Sequence, residues 1–381
     1  MVAELLVFGS TLWMAGAASL LMAFLIVVTR QHHVTWTAKG HAGSAIQSVH
    51  DLPTPRIGGL AVMVGLAVAA VLLGPDAAGV MTLLLLSSLP VFLAGLGEDV
   101  GYNVSPRIRL AMAGISGIVM IAVTGQSITH AGIFGVDLLL AIPAISFAFT
   151  VFATAGVAHA FNLVDGLNGL SKAITMSVGL AYALIALLAS DTVLASISVS
   201  LVVVAFGVFA VNYPFGRVFL GDAGAYTLGH ITAWIAVLLM ARHPEISPWA
   251  VLLAAFWPVM DTAAAILRRW RKAHPAGQPD RLHFHHVVLR LLRGRMRGPG
   301  ALAKANPLST AMLAPLFLLP PFLSVLTAMN GPLALAAFLF CTAIYILVRG
   351  SLIRNFRKIV RARRSGWTDR TGSSEVGGPA E

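Results

Sequence analysis

GVMTLLLLSSLPVFLAGLGEDV, residues 79–100, is the stretch whose reading decides the fold. From Gly79 to Gly97 it carries no charge, and then it meets Glu98 and Asp99 side by side. A helix of that length, at about 1.5 Å per residue, is close to the roughly 30 Å of bilayer hydrocarbon. Working outward, the chain repeats this pattern. Polar breaks separate about eleven apolar runs, at roughly 5–29, 57–74, 79–97, 109–125, 138–157, 173–190, 193–211, 225–241, 248–267, 308–328 and 331–349. The first run lacks a basic leader and opens on Glu4, so it reads as a retained span and not a cleaved signal. The 381 residues are 57% apolar and 11% charged, where a soluble domain carries about a quarter charged residues. The expectation is an all-α, polytopic integral membrane protein.

Charge placement orients it. With the N-terminus outside, all but Arg242 of the 26 basic residues fall on the inner side, in loops near Arg30, Lys39, Arg56, Arg107, Arg109, Lys172 and Arg217, between Arg268 and Lys304, and after Arg349. The outer loops carry the acids Asp76, Asp137, Asp191 and Glu245. The C-terminus is then cytoplasmic. The formal net charge of +11 is explained by this bias, with no nucleic-acid surface needed. The lone Cys341 sits in an apolar run, which excludes a disulfide framework and a cysteine metal site. Residues 1–349 read as one transmembrane domain, with its chemistry on inner loops at 30–56, 97–109, 158–172, 212–224 and 268–306. Residues 350–381 read as a basic tail, amphipathic at first and partly disordered from Ser365.

Four polar clusters emerge on that inner side. They are Glu98-Asp99 with Ser105-Pro106-Arg107-Ile108-Arg109; Asn162-Leu163-Val164-Asp165-Gly166-Leu167-Asn168-Gly169; Asn212-Tyr213-Pro214 with Phe219-Leu220-Gly221-Asp222-Ala223-Gly224; and Asp280-Arg281-Leu282-His283-Phe284-His285-His286. Each has a structural reading alone: an acid can cap a helix, Pro and Gly can make a turn, and histidines can line an interface or a zinc site. Converging carboxylates would repel one another unless a hard cation joined them. Magnesium takes one or two carboxylates and fills its shell with water and phosphate oxygens. Glycines beside Asp165 and Asp222 allow close backbone approach, and nearby basic groups can hold phosphate. The set suits phosphoryl transfer, and no serine triad, Walker loop or dinucleotide fingerprint is present.

In order and spacing these clusters, with His50-Asp51-Leu52-Pro53-Thr54-Pro55-Arg56-Ile57-Gly58-Gly59, resemble the polyprenyl-phosphate N-acetylhexosamine-1-phosphate transferase family from about His50 to His286. The resemblance implies transfer of a sugar 1-phosphate from a UDP-N-acetylamino sugar to undecaprenyl phosphate, with UMP released. It implies magnesium, with manganese as a substitute, and a site facing the cytoplasm of the bacterial inner membrane in cell-envelope or O-antigen assembly. It admits a homodimer. On that resemblance Asp222 and Asp165 hold metal, and Glu98, Asp99 and Asp165 surround the phosphates and supply a base. Phe219 stacks on uracil, and Asn162, Asn168, Asn212, His283, His285 and His286 line the substrate.

Three positions depart from the family pattern: Glu98 and Asn168 stand where it has Asp, and Tyr102 where the pentapeptide branch has Lys. The last favours a simple N-acetylated amino sugar. The first two leave a degenerate homologue as an alternative. A transporter or flippase would place ionisable groups at mid-membrane, and a CDP-alcohol phosphatidyltransferase would need further acids after Asp165.

Overall fold

The computed structural model describes residues 2–37, 54–272, 283–296, 298 and 300–371. Among these, every regular element is a helix: α1 (Val2–Val28), α2 (Arg30–Thr37), α3 (Gly59–Leu72), α4 (Pro75–Asp99), α5 (Pro106–Thr124), α6 (Phe134–Leu140), α7 (Pro143–Val164), α8 (Leu170–Leu188), α9 (Thr192–Asn212), α10 (Gly221–Arg242), α11 (Pro248–Ala254), α12 (Phe256–Lys272), α13 (Phe284–Arg295), α14 (Ala301–Leu326) and α15 (Gly331–Thr371). His50 to Pro53 of the first inner motif, Lys39, Asp280 to Leu282 of the fourth cluster, and the tail from 372 lie outside the described residues.

Local chemistry sets several boundaries. Proline opens α4, α5, α7 and α11, where its missing N–H costs nothing. Ser105 and Asp191 cap α5 and α9 by accepting from the N–H of Ile108 and Leu194, at 3.3 and 2.8 Å. Pro143 moves the run expected at 138–157 onto α7, with the short α6 before it.

All-helical membrane architecture is what the apolar runs called for. Among the described residues, eight helices are long and apolar enough to cross a bilayer: α4, α5, α7, α8, α9, α10, α14 and the 331–356 part of α15. The number rises to ten if each of two bent pairs is one span. Those pairs are α1 with α2, bent by 86°, and α11 with α12, bent by 85°. The apolar α3 has 14 residues, about 21 Å of helix, which is short for a full crossing. The apolar run expected at 248–267 falls on α11 and α12, with the bend between them. Pro258 follows it by a few residues, and its ring would clash with the carbonyl of Ala254, where α11 stops. The division expected near residue 350 is marked by no break, since α15 continues as one helix to Thr371.

The centre of the bundle is α10. It is buried along nearly its whole length, and it packs against α3, α4, α5, α7, α8, α9 and α11. Gly, Ala and Thr along it allow such close approach. The outer helices α5 and α15 instead expose Leu, Val, Ile and Phe outward, as lipid-facing surfaces do. Inside α4, Pro90 interrupts the backbone ladder, and the neighbouring Val91 N–H is taken up by the Ser116 hydroxyl of α5 at 3.2 Å.

Candidate functional site

The N-terminus of α10 is the focus. Gly221 enters it with φ of +74°, and a Cβ there would collide with the Arg56 carbonyl and the Asp99 carboxylate. Only glycine fits so close an approach in that conformation. Asp99, at the end of α4, is 1% exposed. Its two oxygens accept from the N–H groups of Asp222 and Ala223 at 2.8 and 2.9 Å. A carboxylate from a different helix thus caps α10, satisfying orphan donors and complementing the helix dipole.

That cap fixes Asp222. Its side chain pairs with Arg109 of α5, and Arg56 lies 3.6 Å away. Arg109 is also within electrostatic reach of Glu98 and Tyr226. Tyr226, one turn below Asp222, contacts His159 Nδ1 of α7 at 3.3 Å. Glu98 Oε2, His159 Nε2 and Arg109 Nε are buried without a hydrogen-bond partner. Phe219 is half-buried, and its backbone is clamped by the segment before α3: its N–H donates to Pro55 and its carbonyl accepts from Gly58, at 2.8 and 3.0 Å.

A second group forms where α7 hands over to α8. Asp165 accepts from the Ser171 hydroxyl, and from Lys172 Nζ at 2.8 Å. Lys172 is 1% exposed. Asn162, half-buried on the last turn of α7, accepts the Asp165 N–H through its carbonyl at 3.3 Å. The other two asparagines hold the loop together. Asn168 donates from Nδ2 to the Pro214 carbonyl at 2.9 Å, and its own N–H goes to Asn306 Oδ1 at 2.7 Å. Asn212 accepts from Gly169 N–H and donates to the Val218 carbonyl, both at 2.6 Å. Asn168 and Asn212 thus commit amide groups to the backbone of the site loops.

The histidines of the fourth cluster close over this loop. Gly166 lies so near His285 Nε2 that a Cβ would collide with it. The His285 and His286 rings are 4.2 Å apart, and the His283 ring stacks on His285 at 5.7 Å. Burial first, then the neighbouring His286, holds His285 well below the ordinary imidazole value, so it is neutral near pH 7. His283 Nδ1 donates to Asp261 of α12 at 2.8 Å.

The structure therefore joins Glu98, Asp99, Asp222 and Phe219 around the head of α10. It joins Asp165, Asn162, Asn168 and Asn212 with the histidines around the α7–α8 loop. Four contributors escape a reading of the sequence. Lys172 appears there as one more inner-side charge, and Tyr226 and His159 as ordinary span residues. Asp261 had a usable signal, being a lone acid within an apolar run.

Among the described residues no three His, Cys, Asp or Glu side chains are arranged to hold a metal. Magnesium does not need three, since one or two carboxylates suffice when phosphates complete the shell. The unpartnered Glu98 oxygen, close to the head of α10 where Asp222 sits, meets that smaller requirement. Both other candidate ligands carry a cation partner, Asp222 with Arg109 and Asp165 with Lys172.

These features define a polytopic membrane protein with an acidic, arginine-framed site at one end of its central helix. The family model described as glycosyl transferase family 4 matches residues 81–240, which hold Glu98, Asp99, Asp165 and Asp222. An undecaprenyl-phosphate alpha-N-acetylglucosaminyl 1-phosphate transferase of Yersinia pestis is 31% identical over 259 residues, covering 63% of this chain and 67% of that one. A probable undecaprenyl-phosphate N-acetylglucosaminyl 1-phosphate transferase of Bacillus subtilis (strain 168) is 27% identical over 249 residues, with coverage of 64% and 68%. A decaprenyl-phosphate N-acetylglucosaminephosphotransferase of Mycobacterium tuberculosis (strain ATCC 25618 / H37Rv) is 28% identical over 289 residues, with coverage of 64% and 68%. The chain belongs to glycosyl transferase family 4.

Proposed function

We propose that this chain transfers an N-acetylhexosamine 1-phosphate from a UDP-sugar to undecaprenyl phosphate, releasing UMP, as the first step of a lipid-linked envelope glycan such as an O-antigen. The observation that carries the reading is Asp222, pinned by Asp99 at the head of the most buried helix, facing two guanidiniums beside an unpartnered Glu98 oxygen. The names of its relatives support a polyprenyl-phosphate acceptor.

In the reaction an oxygen of the lipid phosphate attacks the β-phosphorus of the nucleotide sugar. The bond from that phosphorus to the bridging oxygen breaks, and UMP leaves with the electron pair. One anhydride replaces another, so the site has chiefly to align two anions and neutralise moving charge. Arg56 and Arg109 are the cations framing that point, able to bind phosphate oxygens in fork geometry. Asp99 positions Asp222 through the α10 N–H groups. Phe219 offers a half-buried aromatic face for the uracil. Magnesium, with manganese as a substitute, would be held by Asp222 and Glu98, and when bound supplies positive charge to the transferring phosphate. The inner-side bias of the basic residues supports a site on the cytoplasmic face of the bacterial plasma membrane.

The test uses purified protein with undecaprenyl phosphate, a panel of UDP-N-acetylamino sugars, and magnesium or chelator, following UMP. Metal-dependent release with one donor, abolished in Asp222→Asn, is expected. Near-native turnover of Asp222→Asn with magnesium would overturn the assignment of Asp222.

A further inference from the structure

Asp261 lies on the second turn of α12, outside the segment that the family model matches, and is fully buried at 0% exposure. Three donors from two other elements converge on it. Oδ2 accepts from His283 Nδ1 at 2.8 Å. Oδ1 accepts from the Phe284 N–H of α13 at 3.1 Å and from the Tyr345 hydroxyl of α15 at 2.8 Å. His285 Nδ1 stands 4.0 Å from Oδ2. Around this point Trp257 packs edge-on against Phe284 and Tyr345, and those two rings meet at a tilt, with centroids 5.0 to 5.9 Å apart.

A buried charge with three donors is costly to assemble, and the buried helix position it occupies could be filled by an apolar residue. What the carboxylate supplies is orientation. As an acceptor it requires hydrogen on His283 Nδ1, which fixes the tautomer and turns Nε2 away from Asp261. The fixed His283 ring stacks on His285, and His285 abuts His286 and the backbone of Gly166, next to Asp165. We propose that Asp261, steadied by Tyr345, is the positioning residue for the His283–His286 segment, setting one ring nitrogen and the stacked order by which these histidines meet the donor's diphosphate. This assignment rests on the transferase reading above. It makes the C-terminal helix α15 a part of the site's support, although it lies far from it in sequence.

The experiment is a double-mutant cycle on purified full-length protein, with UMP release measured against UDP-sugar concentration and folding checked by thermal unfolding in detergent. Asp261→Asn keeps the shape but places an amide donor or a weaker acceptor against His283. It is expected to lower kcat/KM for the UDP-sugar about tenfold to hundredfold, with KM for undecaprenyl phosphate unchanged. In a His283→Gln background the same change should add little, since Asp261 acts through that ring. Should Asp261→Asn fail to fold, Tyr345→Phe removes one donor and leaves two. It should cost several-fold in kcat/KM, again only when His283 is present. A folded Asp261→Asn within about twofold of native, a full additional loss in the His283→Gln background, or an equal rise in KM for both substrates would overturn the proposal. Native protein that turns over no donor would instead remove the transferase reading, and this assignment with it.

Discussion

Replacing Lys172 with methionine removes the ammonium that neutralises Asp165 and leaves a chain of similar length. The pair is 2.8 Å apart, with the lysine side chain 2% and the aspartate side chain 12% exposed. Removing one partner of a buried pair costs about 3–5 kcal/mol. Ser171 still donates to Asp165 and the carboxylate retains some contact with solvent, so the lower figure applies: about 3 kcal/mol, or about two decades in the folded-to-unfolded ratio. Adding Asp165→Asn to Lys172→Met removes the stranded charge, and the double variant should recover to within about 1 kcal/mol of native. The assay is SDS-driven unfolding in mixed micelles. Turnover should be low in both variants, because Asp165 has lost its partner in one and its charge in the other. A single variant within about 0.5 kcal/mol of native, or a double variant no better than the single, would refute the reasoning.

Asn168→Asp, which restores the residue usual at this position in the family it resembles, should cost about 1–3 kcal/mol here. The buried Nδ2 donor to Pro214 would be replaced by an oxygen facing a carbonyl; unchanged unfolding with raised turnover would contradict this. Phe219→Ala should raise KM for the nucleotide sugar while leaving KM for the lipid phosphate near native, since the backbone clamp to Pro55 and Gly58 does not depend on the ring. Equal rises would show that the ring is packing only. At Asp191, burial alone would raise the carboxyl, but the Leu194 N–H, His243 and Arg242 outweigh it and hold it below its ordinary value of 3.8. A depressed folded value means the contribution is fully present above that ordinary value and is lost as pH falls through the folded one. Native protein should therefore exceed Asp191→Asn in stability above pH 3.8, with the gap closing on further acidification; a gap that widens in acid would contradict it.

The helices were legible because a bilayer imposes length and apolarity directly on the chain, and charge-free runs such as 79–97 fall on single helices such as α4. The bend at Ala255 was less so. It depends on Pro258 acting on a carbonyl four residues back, inside a run whose hydropathy does not change. Site residues were legible where a motif exposes polar groups at helix ends, as with Asp222 and Asp165. Their division of labour was not. Glu98 and Asp99 are neighbours in sequence, yet Asp99 turns inward to cap α10 while Glu98 keeps a buried oxygen without a partner. Asn168 and Asn212 read from the sequence as substrate-lining amides, and their bonds to the backbones of Pro214, Gly169 and Val218 add a structural role that the motif does not display. Lys172 and Asp261 draw their meaning from tertiary partners, one on the adjoining loop and the other on helices α13 and α15, and composition carries no trace of that pairing.

The central claim is that phosphate travels with the sugar. It is tested most directly with a UDP-N-acetylamino sugar labelled at the β-phosphorus, incubated with the protein, magnesium and undecaprenyl phosphate. The account predicts that all transferred label appears in a lipid diphosphate sugar and that the released nucleotide is unlabelled UMP. Label leaving in UDP, with unlabelled sugar on the lipid, would show transfer of the glycosyl group alone and would contradict it.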